Sequence, residues 1–214
     1  MRMDERIHIA IQTGKTSWGA HQSGQIELSQ LTLPIQYDER EAPYVPGDKT
    51  LISLADEGQV CVCAYAESQP DSSLVGIGVD LASPEDFERP GAERFAELIF
   101  SPRERELAEC MCAKTNMRLA LAYAVLFGAK EAAFKATARP LRMWYQTHDE
   151  PLEFEVRDFG SQELGFVRGD LRRGAAQRAM DLMGIARIQT TFEQLEGMAF
   201  IMAKAYCDVP SART

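Results

Sequence analysis

Between Leu119 and Ala138 the chain reads LALAYAVLFGAKEAAFKATA, with no Pro and no charge before Lys130. Leu119, Ala122, Leu126, Ala129 and Ala133 follow the three-and-four spacing of a buried helical stripe, which predicts one central helix. Period-two patterns lie on both sides of it. In Val75 to Leu81, VGIGVDL, Val75, Ile77 and Val79 share one face of a strand; Gly76, Gly78 and Asp80 share the other. Leu51 to Ala66 reads as strand, turn at Asp56-Glu57-Gly58, strand. Ile188 to Phe192 and Met198 to Tyr206 read as a final hairpin. Ile7, Ile9 and Ile11 alternate as a strand. Gln25 to Ile35 suggests another, and Gln36 to Lys49, with Pro43, Pro46 and Gly47, reads as a loop. Met143 to Thr147 and Leu152 to Phe159 predict two more strands.

The helix signals sit between these patterns. Ser83 with Pro84 opens a helical region, Pro90-Gly91 interrupts it, and Ala92 to Ile99 resumes. Ser101-Pro102-Arg103-Glu104 starts another helix, to about Ala113. Asn116 is expected to cap the central helix, and Arg139-Pro140 to end it. Arg172 to Leu182 reads as a short amphipathic helix closed by Gly184.

Composition narrows the class. The chain has 214 residues, 45% hydrophobic and 26% charged, as in an ordinary globular protein. It holds no run of eighteen apolar residues, and its start lacks a signal-peptide core, so we expect a cytoplasmic protein without a membrane span. Net charge is −9, which disfavours nucleic acid as a partner. The acid excess is uneven: residues 1–74 hold 5 Lys/Arg against 11 Asp/Glu, and residues 75–214 hold 18 against 21. Five cysteines fall as Cys61-x-Cys63, Cys110-x-Cys112 and Cys207. That spacing is not the usual zinc spacing, and no His neighbours either pair. His8, His21 and His148 stand alone and read as structural or exposed.

Two places carry candidate chemistry. Glu131 and Lys135 are four apart, so they lie on one helix face about one turn from each other. The spacing admits a structural ion pair, and equally a metal ligand beside a phosphate anchor. Gly76 and Gly78 beside Asp80 leave bare backbone that something can approach closely. A bulge and an ordinary strand-end Asp are the alternatives there.

Three motifs occur in order: Gly76-Ile77-Gly78-Val79-Asp80, Phe100-Ser101-Pro102-Arg103-Glu104, and Phe127-Gly128-Ala129-Lys130-Glu131-Ala132-Ala133-Phe134-Lys135. Together they resemble the 4'-phosphopantetheinyl transferase superfamily. The resemblance implies an α+β fold, a pseudo-dimer of two α+β halves with the first half reduced. Residues 1–74 would be that reduced half, and residues 75–214 would correspond to a whole holo-acyl-carrier-protein synthase subunit. A weak repeat between the hairpins at 52–65 and 190–203 agrees with two related halves.

It also implies transfer of 4'-phosphopantetheine from coenzyme A to a serine of an acyl or peptidyl carrier protein. In that reaction Asp80 and Glu131 would hold Mg²⁺, Lys135 would neutralise phosphate, and Glu131 or a metal-bound water would take the serine proton. Lys49 and Asp56 would stand near the coenzyme A phosphates. Arg103, Arg105, Lys114 and Arg118 would meet the acidic carrier protein, with Arg168, Arg172, Arg173 and Arg178 as a second cluster; solvated helix faces are the plain alternative. The assembly implied is a monomer or a complex with a partner chain. The sequence departs from the family pattern in four places. Ala82 stands where larger members often have a third acid, Asp56 and Gln194 stand where each half has a hairpin His, and Phe127 replaces a Trp. Ala82 implies a two-carboxylate site and Phe127 is a mild change; Asp56, Gln194 and the reduced first half support the alternative of a non-catalytic relative that binds a carrier protein or partner subunit.

Overall fold

In the computed structural model the described residues are 7–13, 25–28, 31–38, 43–47, 50–67, 72–138, 154–160, 163–167, 180–182 and 184–207. The central element is a five-stranded antiparallel sheet in the order β8-β12-β11-β10-β9. Its strands are β8 (Leu74–Ala82), β9 (Glu155–Phe159), β10 (Glu163–Val167), β11 (Ile185–Leu195) and β12 (Met198–Cys207).

The central helix spans Leu119–Ala138, as its periodicity predicts; we call it α3. It lies across β8 and β12, and the residues beneath it explain how closely it sits. On β12 the helix-facing residues are Ala199, Ile201, Ala203 and Ala205, all fully buried. Opposite them on β8 stand Ala82, Asp80, Gly78 and Gly76. A Cβ on Gly76 would run into the carbonyl oxygen of Ala136, and one on Gly78 into that of Ala132. The bare backbone is therefore there to admit the helix, and β8 and α3 meet almost backbone to backbone.

The other face of β8 carries Ile77, Val79 and Leu81. With Phe200 they pack against Leu51, Ala55, Val60, Val62, Ala64 and Ala66. These come from a second sheet, ordered β1-β7-β6, built from β1 (Ile7–Thr13), β6 (Leu51–Glu57) and β7 (Val60–Ala66). The layering is helix, sheet, sheet: an α+β fold. The hydroxyl of Ser53 on β6 accepts a 3.0 Å hydrogen bond from the Val79 N–H, which satisfies a donor on the edge strand of the large sheet. Beyond β6 and β7, Ile52, Leu54 and Cys63 pack with Ile35 and Val45.

Several expected elements come out differently. The strand expected over 25–35 is two paired strands, β2 (Gln25–Leu28) and β3 (Leu31–Pro34), with Leu28 opposite Leu31. Two short strands, β4 (Gln36–Tyr37) and β5 (Pro43–Tyr44), pair within the expected loop. The turn of the β6–β7 hairpin lies at Gly58-Gln59 rather than over Asp56-Glu57-Gly58, because Gly58 takes the left-handed φ of 59° and Glu57 already pairs with Val60. The partner of β9 is β10, an element the sequence reading omitted. The expected strand at Met143–Thr147 lies outside the described residues. Of the expected helix at 172–182, residues 180–182 are described and helical, and Gly184 follows with φ 68°.

Between β8 and α3 run a 3-10 turn (Pro84–Phe87), helix α1 (Ala92–Ile99) and helix α2 (Pro102–Thr115). Helix α2 opens on a full capping box: Ser101 Oγ accepts from the Glu104 N–H at 3.2 Å, and Glu104 Oε2 accepts from the Ser101 N–H at 2.9 Å. Asn116, expected to start the central helix, instead ends α2. Its φ of 57° is the left-handed C-terminal conformation, and its N–H bonds to Cys112 O.

Glu104 does more than cap. It is 1% exposed, its Oε1 accepts from the Val156 N–H at 3.0 Å, and the Lys130 ammonium lies 3.1 Å from Oε2. Lys130 also donates to Ile99 O at 2.9 Å. One buried carboxylate thus ties the start of α2 to β9 and to α3, with every bond charge-assisted.

Candidate active site

Asp80 lies on the helix-facing side of β8, one residue pair beyond the glycines that let α3 come close. Its side chain is 10% exposed. The Lys135 ammonium sits 2.7 Å from Asp80 Oδ1 and also donates to Val79 O at 3.1 Å. The partner of Lys135 is therefore not its helix neighbour Glu131 but an acid across the sheet–helix interface. Gly128 makes room for this carboxylate. A Cβ there would press on Ile201 Cδ1 and come within 3.2 Å of Asp80 Oδ2.

Burial pushes the Asp80 carboxyl up from its ordinary 3.8 to about 6. Lys135 opposes that through its charge and hydrogen bond, while the charges of Glu131 and Glu57 add to it. The three acids thus share one electrostatic neighbourhood, with one ammonium inside it. Glu57 was not among the residues singled out from the sequence. Strand alternation on β6 explains its presence. Leu51 and Ala55 pack toward the large sheet and Ser53 bonds to Val79, so Glu57 faces the same way. The signal was in the pattern, but it depends on the strand running through to residue 57.

The same alternation turns Asp56 outward. Ile52 and Leu54 lie on its face of β6, and its charge acts on Tyr37 and Cys61. Glu57 is itself pushed up, first by burial and then by Asp86 and Asp56, with Arg89 opposing. Gln194 is exposed on β11 opposite Ala199. Lys49 lies outside the described residues.

The first group of expected carrier-facing cations lies on α2 and just after it. Arg103 is exposed in the first turn of α2. Arg105 stands 3.8 Å from Glu97, and its Nε is buried with no hydrogen-bond partner among the described residues. Arg118 pairs with Glu88 at 2.7 Å, and Lys114 is exposed near the end of α2. Arg168, Arg172, Arg173 and Arg178 lie outside the described residues. Phe127, one turn before Glu131, packs with Phe87 and Phe95 in an aromatic group, ring centroids 6.2 and 6.5 Å away.

The donor set limits which ion the site could hold. Asp80 and Glu131 offer hard carboxylate oxygens, and Asp80 keeps a raised pKa because its burial outweighs the ammonium beside it. Among the described residues no group of three or more His, Cys, Asp or Glu is placed to hold a metal. An ion that takes one or two carboxylates and completes its shell from water and phosphate fits these residues. An ion needing an all-protein cage does not.

The class is an α+β layering that holds a buried Asp–Lys pair at the end of a glycine-bearing strand. Residues 76–181 match the sequence profile of the 4'-phosphopantetheinyl transferase superfamily, and the chain belongs to that superfamily. Solved structures similar to it include the holo-acyl-carrier-protein synthase of Plasmodium yoelii, at 20% identity, covering 63% of this chain and 96% of that one, with a TM-score of 0.45. That of Neisseria meningitidis gives 20% identity, coverage of 62% and 98%, and a TM-score of 0.45. The Helicobacter pylori enzyme, solved in complex with coenzyme A, gives 17% identity, 60% and 98%, and 0.41. No curated protein matches the sequence.

Proposed function

We propose that the protein transfers 4'-phosphopantetheine from coenzyme A to a serine hydroxyl of an acyl or peptidyl carrier protein. The observation that carries this proposal is the meeting of Asp80, Glu131 and Lys135 at the β8–α3 contact, with Lys135 2.7 Å from Asp80. Superfamily membership supports phosphopantetheine transfer in general; Mg²⁺ and the carrier protein are the finer parts of the proposal. Mg²⁺, held by Asp80 and Glu131, would supply charge neutralisation on the diphosphate. Lys135 binds and neutralises a phosphate oxygen as a point charge. Glu131, or a water beside it, accepts the serine proton as the serine oxygen bonds to the β-phosphorus. The bond from that phosphorus to the bridging oxygen breaks, and 3',5'-ADP leaves.

The division into a reduced half, 1–74, and a synthase-like half, 75–214, belongs to the same proposal. The packing of the β1-β7-β6 sheet against β8 and β12 supports it. So does Glu57, which the first half brings toward an acid of the second. Arg103, Arg105 and Arg118 would face the carrier protein. No helix among the described residues is long and apolar enough to cross a membrane, and a cytoplasmic site of action is proposed.

Glu57 favours a second reading, a non-catalytic relative that binds a carrier protein or partner subunit, because it adds negative charge where a diphosphate would lie. Fluorescently tagged coenzyme A separates the two. The transferase labels an apo carrier protein and Glu131→Gln does not; a binder retains the carrier protein on a column and leaves it unlabelled.

A further inference from the structure

One oxygen of the Asp80 carboxylate is already paired. Oδ1 carries the Lys135 ammonium at 2.7 Å. Oδ2 faces the backbone of α3, where even a methyl group on Gly128 would stand 3.2 Å from it. Lys135 is fixed in place by its second bond, to Val79 O at 3.1 Å, and its side chain is 30% exposed, so the ammonium can leave toward solvent. A magnesium ion binds carboxylate oxygen at about 2.1 Å. A carboxylate oxygen has room for both partners, but a metal on Asp80 would bind against the charge of the ammonium already beside it, which weakens its hold while Lys135 stays.

We propose that Lys135 is a built-in counter-ion that keeps metal binding weak until a phosphate-bearing ligand offers its ammonium a new partner. This rests on the transferase site proposed above and adds an order of events to it. The metal alone would leave Lys135 beside a divalent cation. The phosphate alone would draw Lys135 away and leave Asp80 buried without its partner, with Glu131 and Glu57 nearby. Bound together, each ligand removes the penalty of the other. The two must then bind cooperatively, and each raises the affinity of the other by the same factor.

The test uses Mn²⁺ as the metal probe, followed by the paramagnetic signal of free Mn²⁺, and inorganic pyrophosphate as the phosphate probe. Titrations are corrected for the manganese–pyrophosphate complex that forms in solution. Wild type should bind Mn²⁺ alone weakly, and pyrophosphate should tighten that binding about tenfold or more beyond the solution complex. Lys135→Met, which keeps the side-chain length and removes the charge, should bind Mn²⁺ alone about tenfold or more tightly than wild type and lose most of the coupling. Lys135→Arg should behave as wild type. Thermal unfolding of each variant checks that the fold is kept. Should Lys135→Met not fold, Lys135→Gln, which also removes the charge, takes its place in the same comparison. The proposal is overturned if wild type shows no coupling, if Lys135→Met binds Mn²⁺ no more tightly than wild type, or if no form binds Mn²⁺ at all. Transfer to a carrier protein is read separately. The Mn²⁺ pattern without transfer would sink the enzyme and keep the counter-ion, and transfer without the pattern would do the reverse.

Discussion

Replacing Asp80 with Asn should make the metal-free protein more stable at neutral pH and inactive as a transferase. Burial raises the Asp80 carboxyl from 3.8 to about 6, with the help of Glu131 and Glu57 and against the pull of Lys135. At about 1.4 kcal/mol per tenfold change in the proton equilibrium, the ionised form costs the fold about 3 kcal/mol at pH 7. Asp80→Asn keeps the shape and an oxygen for Lys135 but carries no charge, so up to about that amount is recovered. The sign with pH follows directly. Between pH 3.8 and about 6 the folded protein holds a proton at Asp80 that the unfolded chain has released, so wild type loses stability as pH rises through that window. Urea unfolding in the presence of a chelator measures this. The variant should exceed wild type by about 2–3 kcal/mol at pH 7.5, and the gap should close toward pH 4. A variant less stable than wild type at pH 7.5, or a gap that widens on acidification, would show that Lys135 fully compensates the burial of Asp80.

Other sites yield separate expectations. Glu104→Ala should cost about 3–5 kcal/mol in urea unfolding, since it leaves the Lys130 ammonium and the Val156 N–H without their acceptor; a loss under 1 kcal/mol would mean that the buried network contributes little. Gly78→Ala should abolish soluble folded protein or cost several kcal/mol, because its methyl meets the Ala132 carbonyl, which is backbone and cannot move aside; circular dichroism melting reads this, and a normal melt would contradict the close strand–helix contact. Glu57→Gln should tighten pyrophosphate binding in the presence of Mg²⁺ by several-fold, whereas Asp56→Asn should change it less, because alternation on β6 turns only Glu57 toward Asp80; calorimetry giving the opposite order would place the wrong acid at the site.

Much of this architecture was readable before any coordinates, and the misreadings share a physical origin. The central helix, β8 and the two hairpins announce themselves through long runs of one period, which the tertiary structure has no reason to override. Asp80, Glu131 and Lys135 could be grouped because their motifs occur in order. Which acid Lys135 would choose could not be read, because a helix neighbour four residues away and a strand 55 residues away look equally good along the chain. The glycines of β8 showed that something comes close; that it is α3, and not a ligand, depends on the three-dimensional packing. Asn116 fits both an N-cap and a left-handed helix end, and only its φ decides. The β6–β7 turn reads from the sequence as Asp56-Glu57-Gly58, whereas the strand runs through Glu57 and the turn is Gly58-Gln59. The two extra strand residues put Glu57 on the face of β6 that looks toward Asp80. β10 was missed because Gly165 interrupts a strand of only five residues.

The claim that Asp80, Glu131 and Lys135 form a phosphopantetheinyl transferase site is tested most directly by intact-mass spectrometry. Apo acyl and peptidyl carrier proteins would be incubated with the protein, coenzyme A and Mg²⁺. We predict that at least one carrier gains the mass of one phosphopantetheine, and that the gain disappears with Glu131→Gln and when a chelator replaces the metal. An unchanged mass on every carrier, from protein shown to be folded, would contradict the claim and leave a site that binds without transferring.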